Sequence, residues 1–236
     1  GGMSAVTLLL DESPGGVVNR DSLGDHSTIA PGDLHWTQAG SGIVHEETPS
    51  QPGQPAIGLQ IFVNMGRSHK QDPAAVFKVA RADMPVWQGE GVQVKVAAGS
   101  FAGLQSPIGA DPRWATRVDL LDIRLAPGAR IDLPVDNAAN GFLIVTAGAL
   151  SAGDHAARMH QTVVLSPAPA DAAGRSVLTL QSTEAGAHAV LLAGRPLREP
   201  VVPYGPFVGN SRQDIAAYAQ AFQRGDMGSL EPSFSR

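Results

Sequence analysis

Pro31-Gly-Asp-Leu-His-Trp36-Thr-Gln-Ala-Gly-Ser-Gly42-Ile-Val-His45-Glu46-Glu47 is the stretch on which the reading of this chain turns. Two short apolar runs flank a Gly/Ser turn, and the second run ends in His-x-Glu. Residues two apart on an extended strand share a face, so His45 and Glu47 project together and Glu46 points away. An imidazole beside a carboxylate on rigid backbone is half of a transition-metal site. A hairpin with its loop at Ala39 to Gly42 pairs Gln38 with Ile43, Trp36 with His45 and Leu34 with Glu47. That register predicts Trp36 as a pocket-lining residue beside the two candidate ligands. It turns His35 to the other face and excludes it as a ligand. A slip of one residue would exchange Trp36 and His35.

Composition sets the frame around this stretch. A chain of 236 residues suits one large β domain or two of about 100–120 residues each. Only 17% of residues are charged and 43% are apolar, with 27 glycines and 18 prolines. Such usage favours many short strands and tight turns over long helices. The net charge is −5 with Lys and Arg scattered, which leaves no footprint for nucleic acid or an anionic membrane. The sequence has no cysteine, which removes disulfides, thiolate zinc sites and cysteine nucleophiles together. No run approaches 18 consecutive apolar residues, so no transmembrane helix is expected. No basic region precedes Val6 to Leu10, so no signal peptide is read and a cytoplasmic location is expected.

Outward from the opening stretch, strands are expected at Ala5–Leu10, Gly58–Asn64, Gly91–Ala97, Arg117–Leu125, Phe142–Ala147, Gln161–Leu165, Ser176–Gln181 and His188–Ala193. Their spacing favours antiparallel sandwiches or barrels. The Gly/Pro/Asp-rich loop from Ser100 to Trp114 marks a domain boundary, giving units at 1–110 and 111–200 and a tail at 201–236. His69 and Lys70 are expected at a solvated loop tip, and His26, His155 and His160 at the surface. In the tail, Ile215, Tyr218, Ala219 and Phe222 recur at helical spacing behind Ser211, so residues 212–224 are expected to form an amphipathic helix stopped by Gly225. Its apolar stripe is expected in the core.

Several stretches together resemble the pirin family of the cupin superfamily: Asn19-Arg-Asp-Ser-Leu-Gly24, Pro31-Gly-Asp-Leu-His-Trp36, Gly42-Ile-Val-His45-Glu46-Glu47, Asp122-Ile-Arg-Leu-Ala-Pro-Gly128, and Glu199-Pro-Val-Val202 with Tyr204-Gly-Pro-Phe207. The resemblance implies an all-β chain of two tandem antiparallel cupin (jelly-roll type) barrels with a C-terminal helix. It also implies a metal, usually iron, in the first barrel only, held by three histidines and one glutamate. His45 and Glu47 match the second pair of that set. The family's His-x-His falls just before the stretch matching Gly2-Met3-Ser4, where this sequence starts, so an incomplete site with iron absent or weakly bound is expected. Where other cupins carry His-x-His, the second barrel offers Asn137-Ala-Ala-Asn140, which is not an iron ligand set.

Two functions follow from the resemblance. One is a binding or regulatory protein with a protein or flavonol-type partner. The alternative is a metal-dependent dioxygenase acting on flavonols such as quercetin, which requires the metal. A sheet edge left uncovered at the start of the chain would invite pairing, so a homodimer is expected across it.

Overall fold

Alternating apolar and polar side chains make most of this chain extended. The computed structural model describes residues 1–165 and 174–231. Its strand pairs are all antiparallel. The chain divides into two compact units, one of Gly1–Asp83, Pro112–Thr116 and Arg198–Arg236, the other of Met84–Asp111 and Arg117–Leu197. Among the described residues no helix is long and apolar enough to cross a membrane.

The first unit holds β1 (Met3–Leu9), β2 (Val17–Asp21), β3 (His26–Ile29), β4 (Leu34–Gln38), β5 (His45–Pro49), β6 (Gly58–Asn64) and β7 (Ala75–Val79). They form two sheets, in the orders β6-β1-β4-β7 and β3-β2-β5. Side chains such as Thr7 and Glu47, or Lys78 and Asp25, meet across the gap, while the strands do not close into a continuous ring. This is an open jelly roll.

The expected hairpin is not there. β4 pairs with β1 and β7, and β5 pairs with β2, so the Ala39–Gly42 segment carries the chain from one sheet to the other. Trp36 therefore lies opposite Val6 and Phe77 rather than His45, and His45 lies opposite Asp21. Two glycines permit the crossing. Gly40 sits at φ +48, where a Cβ would come 2.1 Å from the Asp72 carbonyl oxygen, and Gly42 sits at φ +141, where a Cβ would come 2.4 Å from Met227. A central strand flanked on both sides buries Leu34 and Trp36 more completely than a hairpin arm would, and both are at most 1% exposed.

The second unit contains β8 (Val86–Gly89), β9 (Val92–Ala98), β10 (Ser100–Phe101), β11 (Leu104–Gln105), β12 (Val118–Leu125), β13 (Arg130–Asp136), β14 (Asn140–Ala152), β15 (His155–Arg158), β16 (Thr162–Leu165) and β17 (Arg175–Gly194). Its main sheet runs β15-β14-β17-β12-β9-β8, with β13 on β17 and β16 on β14. The two strands expected at 176–181 and 188–193 are one strand of 20 residues, β17. The polar Ser182–Gly186 stretch stays extended because its flanks are held by different partners, β13 on one side and β12 on the other.

The chain then returns to the first unit as the hairpin β18 (Val202–Tyr204) and β19 (Phe207–Gly209), followed by α1 (Arg212–Arg224). The helix bounds match the sequence reading. Ser211 Oγ accepts from the Asp214 amide, Asp214 Oδ2 accepts from the Asn210 amide, and Gly225 ends the helix at φ +80. Tyr218 is 2% exposed, stacks on Phe207 at 5.6 Å and donates to the Lys70 carbonyl. Phe222 departs from the expected core stripe and is 55% exposed. Lys70 departs in the opposite sense. It is buried, and its ammonium donates to Gly2 O, Asn64 Oδ1 and Val208 O at 2.6, 2.6 and 2.9 Å.

Candidate functional site

The site grows from three strand faces that meet inside the first unit. On β1, Thr7 lies opposite His35 of β4 and Gln60 of β6. On β5, Glu47 lies opposite Asn19 and His45 opposite Asp21 of β2. Opposed residues in an antiparallel pair share a face. Thr7 and His35 thus share a face of one sheet, and Asn19, Asp21, His45 and Glu47 a face of the other.

Contacts across the gap join the two faces. The Thr7 hydroxyl lies 2.8 Å from Glu47 Oε2, 3.0 Å from Oε1 and 3.0 Å from Gln60 Oε1. His35 stands between two carboxylates, its Nδ1 3.9 Å from Glu47 Oε1 and its Nε2 3.6 Å from Asp25 Oδ2. Both separations exceed a hydrogen bond. Burial holds the His35 imidazole below its ordinary pKa, although the charges of Glu47 and Asp25 pull it upward, so the ring is neutral at pH 7. For Asp25, burial alone would raise the pKa, but hydrogen bonds from Lys78, Ser27 and Asn19 outweigh it and bring the group down to about 2. The chain Thr7, Glu47, His35, Asp25, Lys78 runs from the interior to a half-exposed lysine.

A cavity of about 490 Å³ opens beside these residues within the first unit. Met3, Ala5, Phe62, Phe207, Phe222 and Met227 give it apolar walls, and His45 and Thr37 supply polar atoms. Among the buried atoms on the surrounding strands without a protein hydrogen-bond partner are Asn19 Oδ1, Asp21 Oδ2, His35 Nε2 and His45 Nδ1. Such atoms cost free energy unless something polar meets them.

His45 and Glu47 share one face of β5 as expected, with His45 on the cavity wall and Glu47 against Thr7 and beside His35. Nitrogen and carboxylate oxygen donors suit a divalent transition metal. Among the described residues no three His, Asp or Glu side chains are grouped to hold an ion. In donor type the pair suits a divalent metal. Trp36 is corrected. It is fully buried, packs edge-to-face on Trp114 at 5.5 Å, and is not part of the cavity wall. His35 takes the face that had been given to Trp36, because β4 answers to β1 and β7 rather than β5. Thr7, Asn19 and Asp25 were missed, since a Thr, Asn or Asp on a short strand or loop carries no signal until its partner strand is known.

The second unit has no counterpart among the described residues. Its interior positions, including Leu121, Ile123, Leu143, Val145, Leu180 and Leu191, form one apolar cluster. His155 and His160 are exposed, and His26 of the first unit is exposed as well. Asp122 and His188 do pair, at 2.5 Å, on the sheet face away from that cluster.

Comparison with known proteins agrees with this architecture. A family model described as Pirin matches residues 1–63, and one described as the Pirin C-terminal cupin domain matches residues 120–228. Pirin-like protein 2 of Arabidopsis thaliana is 33% identical over 233 residues, covering 96% of this chain and 68% of that protein. Human pirin is 33% identical over 219 residues, covering 91% and 71%. A crystal structure of quercetin 2,3-dioxygenase from Acinetobacter baumannii superposes with a TM-score of 0.82 at 28% identity, covering 98% of this chain and 77% of that one.

Proposed function

The chain belongs to the pirin family, and from that premise we propose that its first unit binds a flavonol-type aromatic molecule in the cavity beside His45. One observation carries this reading: an apolar cavity of about 490 Å³ with an imidazole on its wall. Cavities of roughly 300–1,000 Å³ with apolar walls and few polar groups are typical of small-molecule sites. Phe62, Phe207 and Phe222 offer ring surface to a planar ligand, and His45 and Thr37 offer hydrogen bonds to its oxygens. His45 and Glu47 are two ligands of a divalent metal, iron by family resemblance. When bound, such an ion supplies Lewis acidity and a point at which ligand oxygens are oriented. Binding at this cavity is the reading the geometry supports, and a regulatory role through a protein partner is consistent with it.

A second reading, oxidative cleavage of the flavonol, is favoured by the likeness to the Acinetobacter baumannii dioxygenase. One experiment separates the two. Quercetin is titrated into the protein with and without Fe(II) while tryptophan fluorescence and dissolved oxygen are followed. Saturable binding without oxygen uptake, weakened by Phe222→Ala, supports the binding reading. Oxygen uptake in proportion to quercetin lost, abolished by His45→Ala, supports the dioxygenase reading. No saturable binding under either condition overturns both.

A further inference from the structure

We infer that Thr7 is the positioning residue for Glu47: its hydroxyl holds the carboxylate in the orientation in which it serves as a metal ligand. This rests on the reading of His45 and Glu47 as ligands. Glu47 has a long side chain with several rotamers, and fixing one of them costs conformational entropy. Among the described residues the single hydrogen-bond donor to its carboxylate is Thr7, at 2.8 and 3.0 Å. His35 cannot take over, because its Nδ1 stands 3.9 Å away. Thr7 is itself well anchored. It is 5% exposed, sits mid-strand between β4 and β6, and its β-branch restricts χ1.

The Thr7 proton has two takers, Glu47 and the Gln60 carbonyl oxygen at 3.0 Å. Gln60 turns its amide nitrogen to the Val6 carbonyl at 3.3 Å, so it faces Thr7 as an acceptor and gives nothing to Glu47. A hydrogen bond to a carboxylate is the stronger of the two, so the proton goes to Glu47. A carboxylate can accept about four hydrogen bonds. One donor across its two oxygens orients the group and leaves acceptor capacity for a cation beside His45.

The test uses the full chain and Co(II) as a spectroscopic probe. Wild type, Thr7→Val, Thr7→Ser, Thr7→Ala and His45→Ala are titrated with Co(II), and thermal melts confirm that each is folded. Thr7→Val keeps the shape and removes the proton, and Thr7→Ala covers the case in which valine disturbs the strand. Loss of a partner that orients a ligand weakens metal affinity by about 10–100-fold. That loss is expected in Thr7→Val and Thr7→Ala, with a changed Co(II) absorption spectrum, while Thr7→Ser restores both affinity and spectrum. Wild-type affinity and spectrum in Thr7→Val and Thr7→Ala would overturn the inference while leaving His45 and Glu47 as ligands. Wild type binding Co(II) no better than His45→Ala would overturn the ligand reading and this inference with it.

Discussion

The two units use one architecture for opposite ends. In the second, the interior positions of β9, β12, β13, β14 and β17 carry Val, Leu, Ile and Ala, and they merge into a single cluster that includes Leu143, Val145 and Ile123, each fully buried. In the first, the equivalent role of filling the interior is shared by Thr7, His35, Asn19, Asp21, His45 and Glu47, and Asn19 Oδ1, Asp21 Oδ2, His35 Nε2 and His45 Nδ1 are buried without a protein hydrogen-bond partner. The second interior is stabilised by burial alone. The first gives up some of that stabilisation, keeps a cavity, and replaces apolar contact with hydrogen bonds and ion pairs such as Lys70 on three acceptors and Lys78 on Asp25. Among the described residues the polar groups from which a site can be built gather in the first interior, and the second is filled by the apolar cluster.

The largest effect expected from breaking this contrast is in the packed unit. Leu143→Ala removes a fully buried side chain from the apolar cluster and should destabilise that unit by about 2–5 kcal/mol in urea unfolding. A loss below about 1 kcal/mol would show that the cluster is not tightly packed. In the polar unit, Lys70→Met keeps the length of the side chain but leaves Gly2 O, Val208 O and Asn64 Oδ1 without their donor. The cost should be about 1–3 kcal/mol by the same measurement, and a neutral result would mean the ammonium is not a tie. The smallest effect is confined to low pH. Asp25 is held at about 2 in the folded chain against an ordinary 3.8. Its stabilisation is thus complete above its unfolded pKa and lost as pH falls through the folded value. Tm measured between about pH 5 and about pH 2 should fall less steeply in Asp25→Asn than in the wild type. Identical slopes would show that Asp25 does not link stability to pH.

Much of the fold was legible because its signals are local. The alternation of Val92 to Ala98, the caps Ser211 and Gly225 and the spacing of the helix each specify an element without reference to any distant residue. The site was legible by half. His45 and Glu47 stand out because i, i+2 spacing on a strand is itself geometry. Trp36 and His35 were exchanged because the Gly/Ser segment between the strands reads as a hairpin turn, and only the presence of β1 and β7 on either side of β4 shows that it is a crossing. Lys70 was placed at a solvated tip because lysine is rarely buried, and its three acceptors come from positions 2, 64 and 208.

The His-x-Glu of the opening stretch thus keeps the meaning its sequence spacing supports. Alternation along the chain determined that His45 and Glu47 share a face and that the chain is β-rich, and helical spacing between Ser211 and Gly225 determined the helix. Tertiary structure decided what stands opposite that face. Thr7, His35 and Asp25 enter the site from other strands and loops, and their pairing depends on which strands lie side by side. Such pairing is settled by the burial of whole sheets, a long-range balance that no single stretch of sequence expresses.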